Sequence, residues 1–341
     1  MKKKITGVLL ASSMILAMPA AAGCGNSSAG SAAESTVSDS VPDGSAAAGV
    51  SGSSGTADST SAISAEETQY PLTITDDLGN TVTIEEEPER VLSLSPANTE
   101  TLFALGAGER IVGRTDYCNY PEEAADVPSI GTYTSPNTEL IISMTPDVIF
   151  ASDFIDEAIR SQVENAGASV IVFSANNIES VEQDILTAGQ VLNLNEKARE
   201  ITAGMEAEMD GLQEILSANT EEKSAFIDLG DYYSAGEGSL LGNMLENIGV
   251  RNVAADTGET WPQLSLEKII ESNPDVYISL YSTPENLKAV SGLSELDCIR
   301  NDRIIYYDGL SPEADMIQRA GPRLAEGTRL LAEQIYPELF S

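Results

Sequence analysis

Short apolar runs rich in β-branched residues alternate with helical segments from residue 72 onward. This alternation is typical of α/β proteins, in which helices separate parallel strands. It predicts two α/β units. The predicted strands are Val91–Leu94, Ile111–Arg114, Val148–Ala151, Val170–Phe173, Ala225–Leu229, Val276–Leu280 and Ile304–Tyr307. Two helices are predicted in the first unit, Asn98–Leu105 and Thr138–Met144.

An apolar stripe predicts one long helix between the two units. Its members recur at steps of three and four residues, which places them on one helix face. They are Ala198, Ile201, Met205, Met209, Leu212 and Leu216. The helix Glu196–Ala218 would be roughly 35 Å long at 1.5 Å per residue. We expect a stiff connection between two lobes, and the alternative is a surface helix of one large domain.

An internal repeat relates the two units. Residues 138–148 and 266–276 share Glu, Ile-Ile, Pro-Asp and Val in the same register, 128 residues apart. Each copy predicts a helix that ends at a proline and leads into a buried strand. Two lobes built on one motif predict a molecule with approximate twofold symmetry and a cleft between the lobes.

Composition excludes several classes of function. The chain has 54 acidic and 18 basic residues, a net charge of −36, whereas a nucleic-acid-binding protein needs a basic surface. It contains no histidine, which removes most zinc sites, Ser-His-Asp and Cys-His catalysis, and His-ligated haem. We therefore predict no catalytic residues, no metal site in the protein itself and no permanently bound cofactor.

The N-terminus has the order of a secretory signal, with three lysines, an apolar stretch and small residues before Cys24. A cysteine in this place resembles the lipobox of bacterial lipoproteins, although Ala21 stands where leucine is usual. That resemblance implies lipidation and cleavage at Cys24, which would anchor the protein outside the cytoplasmic membrane. The alternative is ordinary cleavage near Ala22, which would leave a free cysteine.

Composition also predicts the domain boundaries. Residues 25–68 are almost wholly Ser, Ala, Gly, Thr, Asp and Glu, a composition that favours disorder. We predict a signal peptide at 1–23, an anchored linker at 24–68, an N-terminal lobe at 69–194, a linking helix at 195–220 and a C-terminal lobe at 221–341. Cys118 and Cys298 lie far apart in sequence, so their pairing stays open, and Cys298 is expected to be buried.

Several separated motifs resemble the helix-linked substrate-binding proteins of ABC importers for cobalamin, haem and ferric siderophores. The matching segments are Pro88–Glu100, Ala104–Gly108, Val112–Gly113, Tyr120–Pro121, Gly131–Tyr133, Pro136–Glu139, Trp261–Glu267 and Arg319–Arg323. The resemblance covers about residues 70–337. It implies two Rossmann-like lobes joined by one long helix, with a ligand cleft between them, and a function in transport rather than catalysis.

The resemblance also implies how such a protein meets its importer. In that family each lobe presents a glutamate that pairs with arginines on the two permease subunits, and Glu139 and Glu267 match those positions. The internal repeat agrees, because a twofold permease needs one carboxylate on each lobe. The alternative is that each glutamate only complements a helix dipole, worth about 0.3–1 kcal/mol.

Ligand-binding residues are expected in loops at the carboxyl ends of the strands. Aromatic side chains there suit a flat macrocycle, and Tyr117, Tyr133 and Trp261 match aromatic positions of the cobalamin-binding members. The predicted ligand-binding residues are Ser95, Pro96, Ala97, Asn98, Tyr117, Tyr133, Tyr232, Trp261 and Met316.

The choice of ligand stays open at this point. A corrinoid carries its own metal ligands and needs no histidine from the protein. Haem would need an axial ligand, for which Tyr133 or Met316 could serve. An anionic ferric siderophore would need a cation, for which Arg114 or Arg319 is available. Trp261 and Asn98 favour the corrinoid, whereas Met316 departs from the aromatic residue of the cobalamin binders.

Two rival functions belong to other classes. Metal chelatases and related enzymes also have two α/β lobes around a cleft, but their chemistry depends on His or clustered Cys. A lipoprotein adhesin or sensor would not require one glutamate in each lobe in matching register. We therefore expect a monomeric, non-enzymatic binding protein that works with an ABC permease and its ATPase, and that touches the membrane only through a lipid anchor.

Overall fold

A computed structural model describes residues 67–341. The lipidation site Cys24, the signal segment 1–23 and residues 24–66 of the predicted linker lie outside the described residues. Within residues 67–341, no helix combines the length and the apolar composition needed to cross a membrane.

Twelve strands and eleven α-helices are found in the described residues. The strands are β1 (Leu72–Thr75), β2 (Thr81–Ile84), β3 (Val91–Ser93), β4 (Ile111–Gly113), β5 (Gly131–Thr132), β6 (Ser135–Pro136), β7 (Val148–Ser152), β8 (Ser169–Phe173), β9 (Lys223–Asp228), β10 (Val250–Asn252), β11 (Val276–Ser279) and β12 (Ile304–Tyr306). The helices are α1 (Pro96–Ala104), α2 (Thr138–Ser143), α3 (Glu157–Asn165), α4 (Ile178–Val191), α5 (Asn195–Leu216), α6 (Leu240–Asn247), α7 (Leu266–Ser272), α8 (Pro284–Ala289), α9 (Asp297–Arg300), α10 (Pro312–Gln318) and α11 (Leu324–Ile335).

The two larger sheets have the same topology. The first has the strand order β4-β3-β7-β8 and the second β10-β9-β11-β12, and all their pairings are parallel. In each, the first strand along the chain lies between the second and the third. Two antiparallel hairpins, β1–β2 and β5–β6, accompany the first lobe. The prediction of two Rossmann-like lobes is therefore confirmed.

A shared apolar core connects the lobes. The central strands are buried on both faces, as parallel sheets covered by helices require. One continuous cluster contains Val148 of the first sheet, Met205 of the linking helix and Ile278 of the second sheet. Separate clusters lie against each sheet, one around Ile149 and one around Tyr277. Because one core spans both lobes, relative motion of the lobes would disturb buried contacts.

The linking helix α5 is tied to both lobes. Against the first lobe, α4 and α5 approach so closely that a Cβ added at Gly189 would lie 2.4 Å from the Cβ of Ala198. Against the second, Arg329 of α11 forms an ion pair with Glu208, and Gln213 Nε2 donates to the Asn247 carbonyl at 2.6 Å. The predicted long helix is confirmed to within two residues at each end.

The internal repeat extends to the backbone of both lobes. The first helix in each copy is capped in the same way: Asn137 Oδ1 accepts from the Leu140 N–H at 3.0 Å, and Ser265 Oγ accepts from the Lys268 N–H at 3.2 Å. Each helix is followed by a residue with positive φ, Thr145 at 43° and Asn273 at 39°.

The aspartate of each Pro-Asp pair then ties the third strand to the first. Asp147 Oδ2 accepts from the N–H groups of Glu89 and Arg90, at 2.9 and 2.8 Å. Asp275 Oδ2 accepts from the N–H and the hydroxyl of Ser224, at 2.9 and 2.8 Å. The recurrence of Pro-Asp therefore has a structural cause, since the carboxylate satisfies backbone donors at the start of β3 and β9.

Candidate functional site

The predicted loops lie at the carboxyl edges of the two sheets. In each sheet the chain leaves the first and the third strand in opposite directions, and the carboxyl ends at such a switch point form a crevice. Segments after β3, β4 and β9 contain most of the predicted ligand-binding residues.

Two tyrosines of the first lobe form an exposed aromatic pair. The rings of Tyr117 and Tyr133 meet edge to face, with centroids 6.2 Å apart and planes at 64°. Tyr133 lies at the tip of the β5–β6 hairpin, where Thr132 Oγ1 accepts from the Ser135 N–H at 3.1 Å. Tyr117 is 51% exposed and Tyr133 is 44% exposed. Both side chains are thus available to a flat apolar ligand.

Two loops of the second lobe hold Trp261 in place. The N–H of Ser234 donates to the Pro262 carbonyl and that of Gly236 to the Thr260 carbonyl, both at 2.8 Å. The carbonyls on either side of Trp261 are therefore fixed, while its indole stays exposed. A Cβ at Gly236 would lie 2.0 Å from the Glu259 carbonyl oxygen, so only glycine permits this approach.

Tyr232 lies in the first of these loops and is partly buried against the apolar cluster of the second lobe. Its backbone is left-handed, with φ of 63°. Burial, together with the neighbouring carboxylates of Asp228 and Asp231, raises the pKa of the Tyr232 hydroxyl. The phenol therefore stays protonated and keeps its hydrogen-bond donor at neutral pH.

The segment from Ser95 to Asn98 begins α1, and its polar side chains face inward. Ser95 caps the helix by accepting from the Asn98 N–H at 3.2 Å. Asn98 Nδ2 donates to the Ala151 carbonyl at 3.0 Å, which ties α1 to β7. Ser95 and Asn98 are buried, whereas Pro96 and Ala97 are partly exposed. The two apolar residues are thus the accessible part of this segment.

Glu100, one turn further along α1, joins the two lobes. Its side chain is buried and accepts from Arg319 Nη1 at 2.6 Å and from Arg323 Nε and Nη2, both at 2.8 Å. The Arg323 guanidinium also lies 3.8 Å from the centre of the Tyr120 ring. Arg319 and Arg323 belong to the second lobe, so this bidentate cluster fixes the lobes against each other.

A second polar contact extends this cluster. Asn119 Nδ2 of the first lobe donates to Asp315 Oδ2 at 3.2 Å, and Asp315 forms an ion pair with Arg319 at 2.8 Å. Burial raises the pKa of the Asp315 carboxyl, although Arg319 acts against this. Glu100, Asp315, Arg319 and Arg323 together carry two negative and two positive charges, so the cluster is neutral. Met316, next to Asp315, is half-buried in α10.

Arg114 and Arg319 were the cations expected to bind an anionic chelate, and both have protein partners. Arg114 donates to the carbonyls of Thr115, Ala124 and Ala125 at 2.9, 3.0 and 3.3 Å. Arg319 is paired with Glu100 and Asp315. An anionic ligand would have to compete with these contacts.

Two exposed aromatic residues at the same sheet edges were missed by the sequence analysis. Phe154 follows β7 and lines a small pocket with Tyr133. Tyr281 follows β11 and packs over Gly230 and Gly309, in the loops after β9 and β12. Their position directly after two correctly predicted buried strands was the signal that could have identified them.

Glu139 and Glu267 occupy the same place in the two lobes. Each is the second residue of its helix, α2 or α7, and each side chain is exposed. Within residues 67–341, neither carboxylate forms an ion pair with a cation of the chain. Both charges are therefore available to a partner.

The two cysteines of the described residues are free and buried. Thr115 Oγ1 lies 3.1 Å from Cys118 Sγ, which stabilises the turn that contains Tyr117. Cys298 packs in the apolar cluster of the second lobe, as predicted, and burial raises the pKa of its thiol to about 11. In residues 67–341, no group of three or more Cys, Asp or Glu side chains could hold a metal ion.

Comparison with known proteins assigns the fold to a family. The model of the family described as "Periplasmic binding protein" matches residues 91–309. The chain belongs to the periplasmic binding protein family. An uncharacterised ABC transporter substrate-binding lipoprotein of Bacillus subtilis (strain 168), YvrC, is 34% identical over 286 residues, which are 80% of this chain and 87% of YvrC.

Two further proteins are similar over most of their length. A cobalamin-binding protein of Halobacterium salinarum (strain ATCC 29341 / DSM 671 / R1) is 26% identical over 275 residues, 78% of this chain and 74% of that protein. The apo form of the periplasmic haem-binding protein RhuT from Roseiflexus sp. RS-1 superposes with a TM-score of 0.65. It is 25% identical and covers 74% of this chain and 99% of its own. The family resemblance drawn from the sequence is confirmed.

Proposed function

We propose that this periplasmic binding protein is the extracytoplasmic substrate-binding component of an ABC importer and that it captures a corrinoid. The proposal rests on the side chains found at the sheet edges and between the two lobes. Exposed aromatic side chains lie at the sheet edges of both lobes, while the buried charges between the lobes neutralise one another. Such a region suits a large, flat ligand bound mainly through apolar faces.

The paired arginines favour a corrinoid over an anionic ferric chelate. A multiply charged anion is best held by arginine forks that have no other partner. Here Arg319 and Arg323 are already engaged by the buried Glu100. A corrinoid supplies its own metal ligands and requires no unpaired cation.

Similarity to other proteins supports the same class of function. The relative from Halobacterium is named as a cobalamin-binding protein and YvrC as an ABC transporter lipoprotein. The similarity to RhuT, named as haem-binding, keeps haem as the second candidate ligand. In that case Tyr133 or Met316 would supply the axial ligand, since the chain has no histidine. A ferric siderophore is the third candidate.

The proposed site combines the predicted loops with the exposed residues next to them. We infer that Ala97, Pro96, Tyr117 and Tyr133 contact the ligand from the first lobe, and Tyr232, Trp261 and Met316 from the second. Ser95 and Asn98 act indirectly, because their hydrogen bonds position α1. The protein itself supplies no catalytic group and no resident cofactor.

We further propose that residues 1–23 are removed, that Cys24 carries the lipid, and that the linker to residue 68 tethers the lobes at 69–194 and 221–341. Such a tether would let a monomeric binding protein turn and meet a permease in the same membrane.

Ligand titration tests the proposal. Trp261 is the only tryptophan, so its fluorescence reports on one place in the protein. Adding cyanocobalamin to the purified full chain should quench this emission and give a calorimetric binding isotherm with micromolar or tighter affinity. Titration of free tryptophan corrects for light absorbed by the corrin ring. If cyanocobalamin gives neither signal and haemin or a ferric siderophore binds, the corrinoid assignment is wrong.

Variants test the site within the same assay. Replacing Tyr117 or Trp261 by Ala should weaken corrinoid binding by roughly ten- to hundredfold, in line with the loss of an aromatic anchor. Leu78→Ala is the matched control, because Leu78 is an exposed apolar residue in the turn between β1 and β2. Equal affinity for all three variants would place the ligand elsewhere.

Docking to the importer is tested separately. Glu139→Ala with Glu267→Ala should abolish stimulation of the importer's ATPase and ligand uptake, while the affinity for the free ligand stays unchanged. A fall in ligand affinity with normal docking would contradict the assignment of these glutamates to the permease.

A further inference from the structure

The two copies of the internal repeat share six residues. Some of these shared residues are buried or hydrogen-bonded, and others are exposed. The shared pairs are Glu139 and Glu267, Ile141 and Ile269, Ile142 and Ile270, Pro146 and Pro274, Asp147 and Asp275, and Val148 and Val276. At the other five positions of the 11-residue segments the lobes carry different side chains.

Four of the six pairs have a reason in the fold. The side chains of Ile141 and Ile269 are completely buried, and the two valines begin the buried strands β7 and β11. The prolines are buried at the ends of α2 and α7. The aspartates accept from backbone N–H groups at the start of β3 and β9. Packing and hydrogen bonding explain all of them.

The glutamates and the second isoleucines have no comparable role. Ile142 and Ile270 are each 37% exposed, whereas the adjacent Ile141 and Ile269 are at 0%. A β-branched apolar side chain on a solvent-facing helix position improves neither helix propensity nor solubility. Helix propensity and solubility therefore do not explain why an isoleucine occurs at the same exposed position in both lobes.

Each exposed isoleucine lies on the same helix face as the exposed glutamate. Residues three apart are neighbours on an α-helix, so Ile142 lies beside Glu139 and Ile270 beside Glu267. The backbone in both copies is fixed by the same cap and by the same left-handed residue after the helix. In the second lobe a Cβ at Gly292 would come within 2.8 Å of Ile270 Cδ1, so the glycine leaves room for this side chain.

We propose that Glu139 with Ile142, and Glu267 with Ile270, form two equivalent docking patches, in each of which the isoleucine inserts into an apolar hollow on one permease subunit beside the basic residue that binds the glutamate. This inference rests on the proposed importer function. Two equivalent patches fit a partner with two equivalent subunits. The carboxylate supplies attraction to a basic surface and the isoleucine supplies burial, which is the usual division between a charged rim and an apolar anchor.

The salt dependence of binding separates the two contributions. Binding of the full chain to the importer in nanodiscs would be measured at about 50 and 500 mM salt, because exposed ion pairs are screened over this range and apolar burial is not. Ile142→Ser with Ile270→Ser should weaken binding by about tenfold at both concentrations, the loss expected when about a third of two isoleucine side chains is no longer buried.

Two variants serve as comparisons. Glu139→Gln with Glu267→Gln should weaken binding at low salt and remove most of its salt dependence. Leu78→Ser removes an apolar side chain that is 52% exposed and lies outside the patches, and it should bind like the wild type. All three proteins should keep the ligand affinity of the wild type, since the altered side chains lie outside the proposed ligand site.

The outcomes distinguish this inference from the proposed function. If the wild type binds the importer and the glutamate variant is impaired, but the isoleucine variant equals Leu78→Ser, the apolar anchor is wrong and the importer function stands. If the wild type does not bind any ABC permease, the importer function itself fails. If the isoleucine variant instead abolishes a concentration-dependent dimer seen by sedimentation, the patches are contacts between copies of this chain, and the proposal is overturned.

Discussion

Asp184 is a carboxylic acid buried inside the first lobe. It lies on α4, is 7% exposed and shares a hydrogen bond with Asp77. Burial, with the nearby Asp77 carboxylate as the second cause, raises the pKa of Asp184 from 3.8 to about 9. At neutral pH the folded protein therefore keeps this group protonated, whereas the unfolded chain ionises it.

This difference predicts the pH dependence of stability. Because the folded state binds the additional proton, the contribution of Asp184 is fully present below about pH 4 and is lost as the pH rises toward about 9. Asp184→Asn cannot ionise, so urea unfolding at pH 8 should show it to be more stable than the wild type by about 1–3 kcal/mol. The difference should shrink as the pH is lowered toward 4.

Asp153→Asn is the control for this prediction, because it makes the same substitution at an exposed aspartate. A wild-type free energy of unfolding that rises between pH 5 and 8, with Asp184→Asn following it, would contradict a buried protonated Asp184.

At the residue scale, the sequence predicted which side chains are exposed better than it predicted which side chains form ion pairs. The single Trp261 and the tyrosines at 117 and 133 are exposed in predicted loops, because loops at strand ends reach the surface whatever their neighbours. Arg319 was one of two cations that the sequence offered to an anionic siderophore, but it pairs with Glu100, 219 residues away. No local pattern encodes a contact at that separation, although both residues belong to motifs that the sequence singled out.

The close contact between helices α4 and α5 requires a glycine at position 189. A Cβ at Gly189 would lie 2.4 Å from Ala198 Cβ, closer than real atoms approach. Gly189→Ala should therefore destabilise the protein by about 1–3 kcal/mol, because the two helices must separate. The measurement is the urea midpoint of the full chain.

A second glycine provides the matched control. Gly204 lies within α5, and nothing surrounds its Cβ position within 4 Å. Gly204→Ala should stabilise the protein by about 0.5–1 kcal/mol, because alanine has the higher helix propensity. Ala198→Gly should rescue Gly189→Ala in part. If both glycine variants were equally stable, the close packing of α4 on α5 would be wrong.

Elements with a strong apolar period were predicted well and short polar ones were not. The apolar stripe predicted the position of α5 because an apolar face that repeats over about five turns is typical of a helix and not of a loop. The strand β10, with the sequence Val-Arg-Asn, was missed since its central residue is exposed and only three residues pair. Its place in the sheet depends on the neighbouring β9, which is tertiary context.

Across the whole molecule, the shared core and the Glu100 cluster resist opening of the lobes. The bidentate contact of Glu100 with Arg323 is buried between them. We therefore expect little closure when the ligand binds. Small-angle X-ray scattering should give radii of gyration with and without ligand that agree within about 1 Å, on a radius of roughly 19 Å for about 275 residues. A larger contraction would contradict a fixed arrangement of the lobes.

Removing the central carboxylate should have a large effect on stability. Glu100→Ala leaves two guanidinium groups without their buried partner, which is expected to cost about 3–5 kcal/mol in the free energy of unfolding. Adding Arg319→Ala and Arg323→Ala to this variant should recover part of that loss. The comparison requires urea unfolding of the single and the triple variant, and equal stability of Glu100→Ala and the wild type would refute the role of this cluster.

At this scale the internal repeat made the symmetry of the fold predictable. The same helix, left-handed residue and Pro-Asp pair lead into the third strand of each sheet, so the two topologies had to correspond. What joins the lobes was not predictable, because Glu100 and its arginines have no repeated counterpart and act only once the lobes have met.

Because the two docking patches are alike, the protein could bind a symmetric permease in either of two orientations. In the proposed complex with a permease of two identical subunits, either lobe can bind either subunit, and both arrangements place one glutamate and one exposed isoleucine on each subunit. The two orientations are related by a rotation of the protein through half a circle. Since both lead to docking, the chance that a collision is productive is doubled. The cargo has no such symmetry, so it would reach the entrance of the channel in two opposite orientations, and the channel would have to accept both.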